Sequence, residues 1–223
     1  DINKDLSSSK KMFRLLQGDV GSGKTIVSLI TSLNVIRSGF QVGFMAPTEI
    51  LARQHFNLAK NICDTNIDIE LLTSKTDNKD RKNIINKLAN NEINMIFGTH
   101  SLFQEKIKFK NLGLIIIDEQ HKFGVKQRKK LSDKGGKDCD ILVMSATPIP
   151  RTMIMTIFGD MDTTIIKNKP KNRKEIKTYS KLETKIDDVI YFIKKHLSNN
   201  NQVFWVCPLI EESKKIDHQS SIK

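Results

Sequence analysis

The residues Gly18-Asp19-Val20-Gly21-Ser22-Gly23-Lys24-Thr25 place glycines, a lysine and a hydroxyl at the spacing GxxxxGK[ST]. Glycines let the backbone curl until successive N–H groups converge on one anion, and a helix starting at the end of the loop adds its positive dipole. The lysine carries a point charge to the outer phosphates of a nucleotide, and the hydroxyl is a ligand for Mg²⁺. Gly18, Gly21, Ser22, Gly23, Lys24 and Thr25 are therefore candidate nucleotide-binding residues, with Thr25 also a candidate metal ligand. A dinucleotide loop is excluded, because GxGxxG needs a third glycine where Ile26 stands.

Phosphoryl chemistry at such a loop needs a carboxylate to hold the metal and a base to orient water. The stretch LGLIIIDEQH supplies two acids in sequence, Asp118 at the end of an apolar run and Glu119 directly after it. Asp118 suits the metal and Glu119 suits the attacking water, which makes Lys24, Asp118 and Glu119 the candidate catalytic set. A third run, DILVMSAT, ends in Ser145-Ala146-Thr147, small residues whose hydroxyls can bond the acids and sense the γ-phosphate. Guanine specificity through NKxD is excluded, since Asn168-Lys169-Pro170-Lys171 and Asn78-Lys79-Asp80-Arg81 both lack the closing aspartate. No arginine-rich lid of the kind small-molecule kinases carry is present.

These groups can meet only if the chain brings their strand ends to one edge. Short apolar runs recur at 13–17, 41–46, 69–73, 94–98, 112–118 and 140–147, near-continuous rather than alternating, as suits strands covered on both faces. Helical patterns over 25–38, 48–62, 79–91 and 150–158 lie among them. The alternation predicts an α/β fold: a doubly wound, mostly parallel sheet flanked by helices. Ligands of such sheets gather at the carboxyl ends of strands, where Lys24, Thr25 and both acids fall.

The texture changes after about Asp160. A basic, proline-bearing stretch at 165–180 reads as a linker. An amphipathic helix over 183–200, with Ile186, Ile190, Ile193 and Leu197 on one face, and a buried strand over 202–210 read as the opening of a second domain. The expected division is 1–164, linker 165–180, and 181–223. Trp205 is expected in the core of that strand.

The 223 residues carry a net charge of +12, which favours a polyanionic partner. Cys63, Cys139 and Cys207 are too widely spaced for a zinc site and odd in number, pointing to a reducing compartment. No apolar run reaches membrane-spanning length and no signal peptide is visible, so a soluble, cytoplasmic protein is expected.

In their order, the phosphate loop, DEQH and SAT resemble the motor of superfamily-two helicases over essentially the whole chain. APTEILARQH (46–55), GTHSLF (98–103), DEQHKFGVKQR (118–128) and MSATPIPRTM (144–153) look like further motifs of that family, and these stretches together look most like its branched-DNA helicases. The resemblance implies a RecA-like P-loop NTPase domain in a bacterial, DNA-associated protein. It further implies ATP and Mg²⁺ as cofactors, and DNA, branched or forked, as partner. The implied activity is a translocating motor that remodels stalled forks and Holliday-type junctions in recombination and repair. It assigns coupling of nucleotide state to DNA grip to Gln120, His121, Ser145, Ala146 and Thr147, and contact with the DNA backbone to Pro47, Thr48, Thr99 and His100. A wedge domain before residue 1 and the rest of a second motor domain, with its arginine finger, are implied in the full-length protein. The chain alone is then expected to bind ATP–Mg²⁺ weakly and hydrolyse it slowly.

Two alternatives stand beside this reading. A DNA translocase coupling transcription to repair shares GDVG, GTH, FGV and ATPIPRT, but typically has an acid where Gln120 stands and another residue at Ser22. A nucleotide-switch DNA-binding module would use the same loop without productive hydrolysis. His55 reads equally as a helix-face residue or a DNA contact. Lys122, Lys126, Arg128, Lys129, Lys130 and Lys134 read as a solvated helix face or as part of the DNA track.

Overall fold

The computed structural model describes residues 1–104, 106–119, 139–147, 161–167 and 176–206. The chain divides into two compact units, Asp1–Arg173 and Lys174–Lys223, the division falling inside the expected basic linker.

In the first unit, described strands and helices alternate as far as β4: α1 (Ile2–Leu6), β1 (Phe13–Gly18), α2 (Lys24–Arg37), β2 (Gln41–Met45), α3 (Glu49–Ile62), β3 (Ile69–Leu72), α4 (Asn78–Ala89) and β4 (Met95–Gly98), followed by a 3-10 turn at His100–Phe103 and the strands β5 (Leu112–Asp118), β6 (Asp140–Ser145) and β7 (Asp162–Ile166). The strands form one sheet in the order β3-β4-β2-β5-β6-β1-β7, with every pairing parallel. Chains that build parallel pairs must return over a face of the sheet between strands, and both faces are covered here. Alternate residues of one strand enter opposite cores. Leu114 and Ile116 join Leu29, Val35 and Ala59 on the side of α2 and α3, while Ile115 and Ile117 join Ile84 and Leu88 of α4. That is why the strands read as unbroken apolar runs.

The six strands read from hydropathy are all present. The seventh, β7, was not anticipated. Its sequence DTTII is mostly exposed and pairs only with β1, as an edge strand does. It is tied down by a buried cation: Arg14 on β1 reaches Asp5 of α1 at 2.6 Å, Asp162 at 3.5 Å and the Thr164 hydroxyl at 2.9 Å. The expected helix over 150–158 lies outside the described residues.

The second unit, taken by itself, contains a 3-10 turn at Glu183–Lys185 running into α5 (Ile186–Ser198), the amphipathic helix expected there. The expected strand over 202–210 is corrected for its described part, 202–206. Residues 201–206 adopt no regular structure, and 207–210 lie outside the described residues. Trp205, expected in a core, is 55% exposed, and Phe204 and Val206 are 86% exposed. A strand needs a neighbour to complete its ladder and bury its side chains, and among the described residues of this unit there is none.

Candidate functional site

The phosphate-type loop leaves β1 at Gly18 and enters α2 at Lys24. Gly23 caps α2 at φ +98° and Gly21 sits at +80°, conformations that an L side chain rarely adopts. Gly18 is crowded instead. A Cβ there would lie 2.5 Å from Ser22 Oγ and 3.1 Å from Ile166 Cβ. Ser22 turns inward: its N–H donates to the Asp19 carbonyl at 3.0 Å, and its hydroxyl is buried with no partner among the described residues. Lys24 Nζ donates to the carbonyls of Gly18 at 2.6 Å and Asp19 at 3.1 Å, so the ammonium lies over the loop. An ammonium has three donors, which leaves one beyond these two. Thr25 is the second residue of α2, partly exposed in its first turn.

Register sets the distances to the rest of the site. Leu16 of β1 pairs with Met144 of β6, which pairs with Asp118 of β5. Gly18 therefore emerges two residues beyond a line that already contains Asp118, two strand spacings or about 10 Å across the sheet. Lys24, Thr25, Asp118 and Glu119 thus share the carboxyl edge.

Asp118 is 8% exposed, and its Oδ2 accepts from His55 Nε2 at 2.9 Å. Oδ1 accepts no hydrogen bond among the described residues and remains open for a cation. Glu119 sits just past the strand end in the left-handed region, φ +52°, which is unusual for a residue with a side chain. Two of its contacts hold it there. Its N–H donates to the Met144 carbonyl at 3.0 Å, and its Oε1 accepts the Ala146 N–H at 3.1 Å. The backbone turn throws the carboxylate sideways towards β6 and off the line of β5.

The SAT segment bridges the loop strand and the acid pair. Ser145 Oγ and Thr147 Oγ1 lie 3.0 Å apart, and the Thr147 N–H donates to Ser145 Oγ at 3.2 Å. Gln17, the last side-chain-bearing residue of β1, donates to the Thr147 carbonyl at 3.1 Å. Gln17 was missed by sequence reasoning. The available signal was a polar residue ending an otherwise buried apolar run.

The remaining candidates lie along the same edge, on the far side of β5. Met45 of β2 pairs with Ile117, and the Ala46 N–H donates to the Gly98 carbonyl at 2.9 Å, so Pro47 and Thr99 emerge from neighbouring strands. Thr48 is exposed and caps α3, its hydroxyl accepting from Leu51 N–H at 3.3 Å. Thr99 is only 9% exposed and bonds Ser101 Oγ at 3.2 Å, while His100 is exposed. Gln120, His121 and the basic cluster at 122–134 lie outside the described residues. His55 is settled. Its ring packs on Phe44 at 4.8 Å between centroids and its Nε2 meets Asp118, so it faces the acid rather than the surface.

The donor set fits a small, hard dication such as Mg²⁺. That ion takes one or two protein oxygens and completes its shell with phosphate and water, whereas zinc is held by a cage of nitrogen and sulfur ligands. Among the described residues no cluster of three metal-ligating side chains exists, and the open Asp118 oxygen is a hard ligand.

A phosphate-type loop, an acid pair and two hydroxyl side chains at neighbouring parallel strand ends define a P-loop nucleotide-binding fold of the RecA-like type. Residues 3–156 match the DEAD/DEAH box helicase family, and the chain belongs to it. Within that family it is 48% identical to the ATP-dependent DNA helicase RecG of Bacillus subtilis (strain 168) over 100% of this chain and 33% of that protein. It is 46% identical to RecG of Thermotoga maritima over 100% of this chain and 29% of that protein. The solved structure of RecG bound to a three-way DNA junction superimposes with a TM-score of 0.79 at 42% identity, covering 94% of this chain and 28% of that one. A DEAD box protein from Methanococcus jannaschii matches in fold, with a TM-score of 0.56 at 20% identity over 74% of this chain and 47% of its own. The chain spans about a third of the length of the curated relatives it matches.

Proposed function

We propose that this chain is the nucleotide-binding part of an ATP-dependent DNA helicase that remodels branched DNA, with Gly18–Thr25 as the triphosphate cradle. The observation that carries the reading is the register that sets β1, β6 and β5 side by side, bringing the loop, Ser145-Ala146-Thr147 and the acid pair to one edge. Relatives named RecG, one of them solved on a three-way junction, support DNA of that kind as substrate.

In this reading the main-chain amides of the loop and the helix dipole of α2 hold the phosphates, and Lys24 turns from the Gly18 and Asp19 carbonyls to the outer ones. Thr25 and Asp118 hold Mg²⁺, which when bound neutralises charge on the phosphates. Glu119 orients the attacking water and takes its proton. Because Ala146 N–H already grips Glu119 Oε1, any movement of the SAT segment moves the base with it. Gln120 and His121 are proposed to share in coupling nucleotide state to grip. Pro47, Thr48 and His100 line an edge where hydroxyls and helix-start amides can hold DNA phosphates, and Thr99 orders that edge from beneath.

Glu119→Gln keeps the shape of the side chain and removes the base. Within the full-length protein, ATP should then bind with unchanged affinity while hydrolysis, measured as phosphate release with forked DNA present, falls at least about a hundredfold. Hydrolysis by the variant at the parent rate would sink the motor reading and leave a nucleotide switch.

A further inference from the structure

His55 lies seven residues into α3 from the Thr48 cap, a rise of about 10 Å along the helix. Its ring is fixed on one side by Phe44, at 4.8 Å and tilted 41°. Its Nε2 contacts Oδ2 of Asp118 at 2.9 Å, and both side chains are only 11% exposed. A histidine buried merely for packing needs a polar partner for its ring nitrogen, and a backbone carbonyl would serve. Here the partner is one oxygen of the carboxylate that ends β5, and the other oxygen is left without a hydrogen bond among the described residues. Carboxylates that hold metals are oriented in this manner, one oxygen pinned by a neighbouring donor and the other presented to the ion.

We infer that His55 is a positioning residue for the metal: its Nε2–H fixes Asp118 so that Oδ1 faces the cation. It thereby links the first turn of α3 to the metal end of β5 through one rigid helix. The inference rests on the reading of Asp118 as the Mg²⁺ carboxylate. The link has a mechanical consequence. Any shift of α3 driven at Thr48 changes the Nε2–Oδ2 contact, and with it the aim of Asp118, without the helix bending. The ring on Phe44 guides that motion, since Phe44 is itself fully buried and packs on Phe97 at 4.9 Å.

The test separates ring packing from hydrogen bonding. His55→Phe keeps an aromatic ring on Phe44 and deletes the donor; His55→Gln keeps a donor at the reach of Nε2. Mn²⁺ is titrated into the full chain with ADP present, and free Mn²⁺ is read by electron paramagnetic resonance. ADP affinity without metal is measured alongside. His55→Phe should weaken Mn²⁺ binding about tenfold, the usual scale for losing a group that orients a metal ligand. His55→Gln should recover it to within about threefold of the parent chain, a pattern expected of an orienting hydrogen bond and not of lost packing. Metal-free ADP affinity should be the same in all three. If His55→Phe binds Mn²⁺ as tightly as the parent chain, the positioning role is overturned while the motor reading stands. If ADP fails to promote Mn²⁺ binding even in the parent chain, the reading of Asp118 and Thr25 as the metal pair falls, and this inference with it. Should His55→Phe melt far below the parent chain, His55→Leu carries the same comparison against His55→Gln.

Discussion

At the scale of single residues, the described edge is governed by hydrogen bonds that fix carboxylates before any ligand arrives. Asp118 and Glu119 are held in this way at the proposed site, and Glu49 shows the same physics where it can be titrated. It stands in the first turn of α3 and accepts both from the Ser74 hydroxyl and from the Ser74 N–H, the latter at 2.9 Å. The hydroxyl first and the amide second hold its pKa below the ordinary value near 4.5, because both favour the charged form. A depressed carboxyl stabilises the fold above its unfolded-state pKa, and that contribution is lost as pH falls through the lower, folded value. Ser74→Ala removes the hydroxyl and leaves the amide. The Glu49 side-chain carbonyl, followed by NMR against pH, should then titrate closer to 4.5. An unmoved titration would show that the hydroxyl contributes nothing, and that the amide alone ties this loop to the α3 start.

At the scale of elements, one side chain ties three segments together at the end of the sheet opposite the site. Gln41 opens β2 and is 1% exposed. Its amide donates at 2.9 Å to the carbonyls of Leu88 and Ile93, and its oxygen accepts from the N–H groups of Lys110 and Asn111 at 2.9 and 3.0 Å. It thus joins the C-terminal end of α4 and the approaches to β4 and β5, beside the irregularity in register between Gln41 and Val42. Gln41→Leu is nearly isosteric but removes all four of these hydrogen bonds, leaving the Ile93 carbonyl and the Lys110 and Asn111 N–H groups without this partner, which should cost about 3 kcal/mol, read as a fall in the urea midpoint of the full chain. No sequence pattern singles out Gln41, because its partners come from three separate segments. The central strands, by contrast, were legible: burial on both faces writes a continuous apolar run, and the phosphate loop writes its own spacing. The edge strand β7 was not, since a single parallel partner and an exposed outer face leave DTTII with no hydrophobic signature. The second-unit strand failed for the converse reason, because apolar residues such as Phe204 and Trp205 mark a strand only when another strand stands beside them. The site divides in the same manner. Motif spacing reaches Lys24 and Asp118, whereas the His55–Asp118 and Gln17–Thr147 contacts join residues 63 and 130 positions apart and exist only once the sheet is assembled.

At the scale of the whole molecule, the parallel sheet predicts how the first unit opens. Every strand pairing is non-local, and the central strands contribute to cores on both faces, so no central strand can leave alone without exposing both. Cys139 reports on this. It directly precedes β6, is fully buried in the core on the α4 side, and burial pushes its thiol up to about 12. At pH 8 a thiol with that pKa of about 12 is thiolate in only about one part in ten thousand, so alkylation of the native state at Cys139 is negligible. Reaction must proceed through opening, after which the thiol regains its ordinary value and labels readily. Cys63, at the C-terminal cap of α3, is partly exposed and its thiol is raised, chiefly by burial, so it needs no global event. Iodoacetamide labelling read by peptide mass spectrometry should therefore modify Cys63 in native buffer and leave Cys139 intact. As urea is added, Cys139 labelling should rise with the slope of the global unfolding transition measured by circular dichroism. Cys139 labelling that is insensitive to urea would mean that β6 opens independently of its neighbours. The strand carrying Ser145 could then shift against β5 at little cost, and the rigid edge on which the site depends would be a hinge instead.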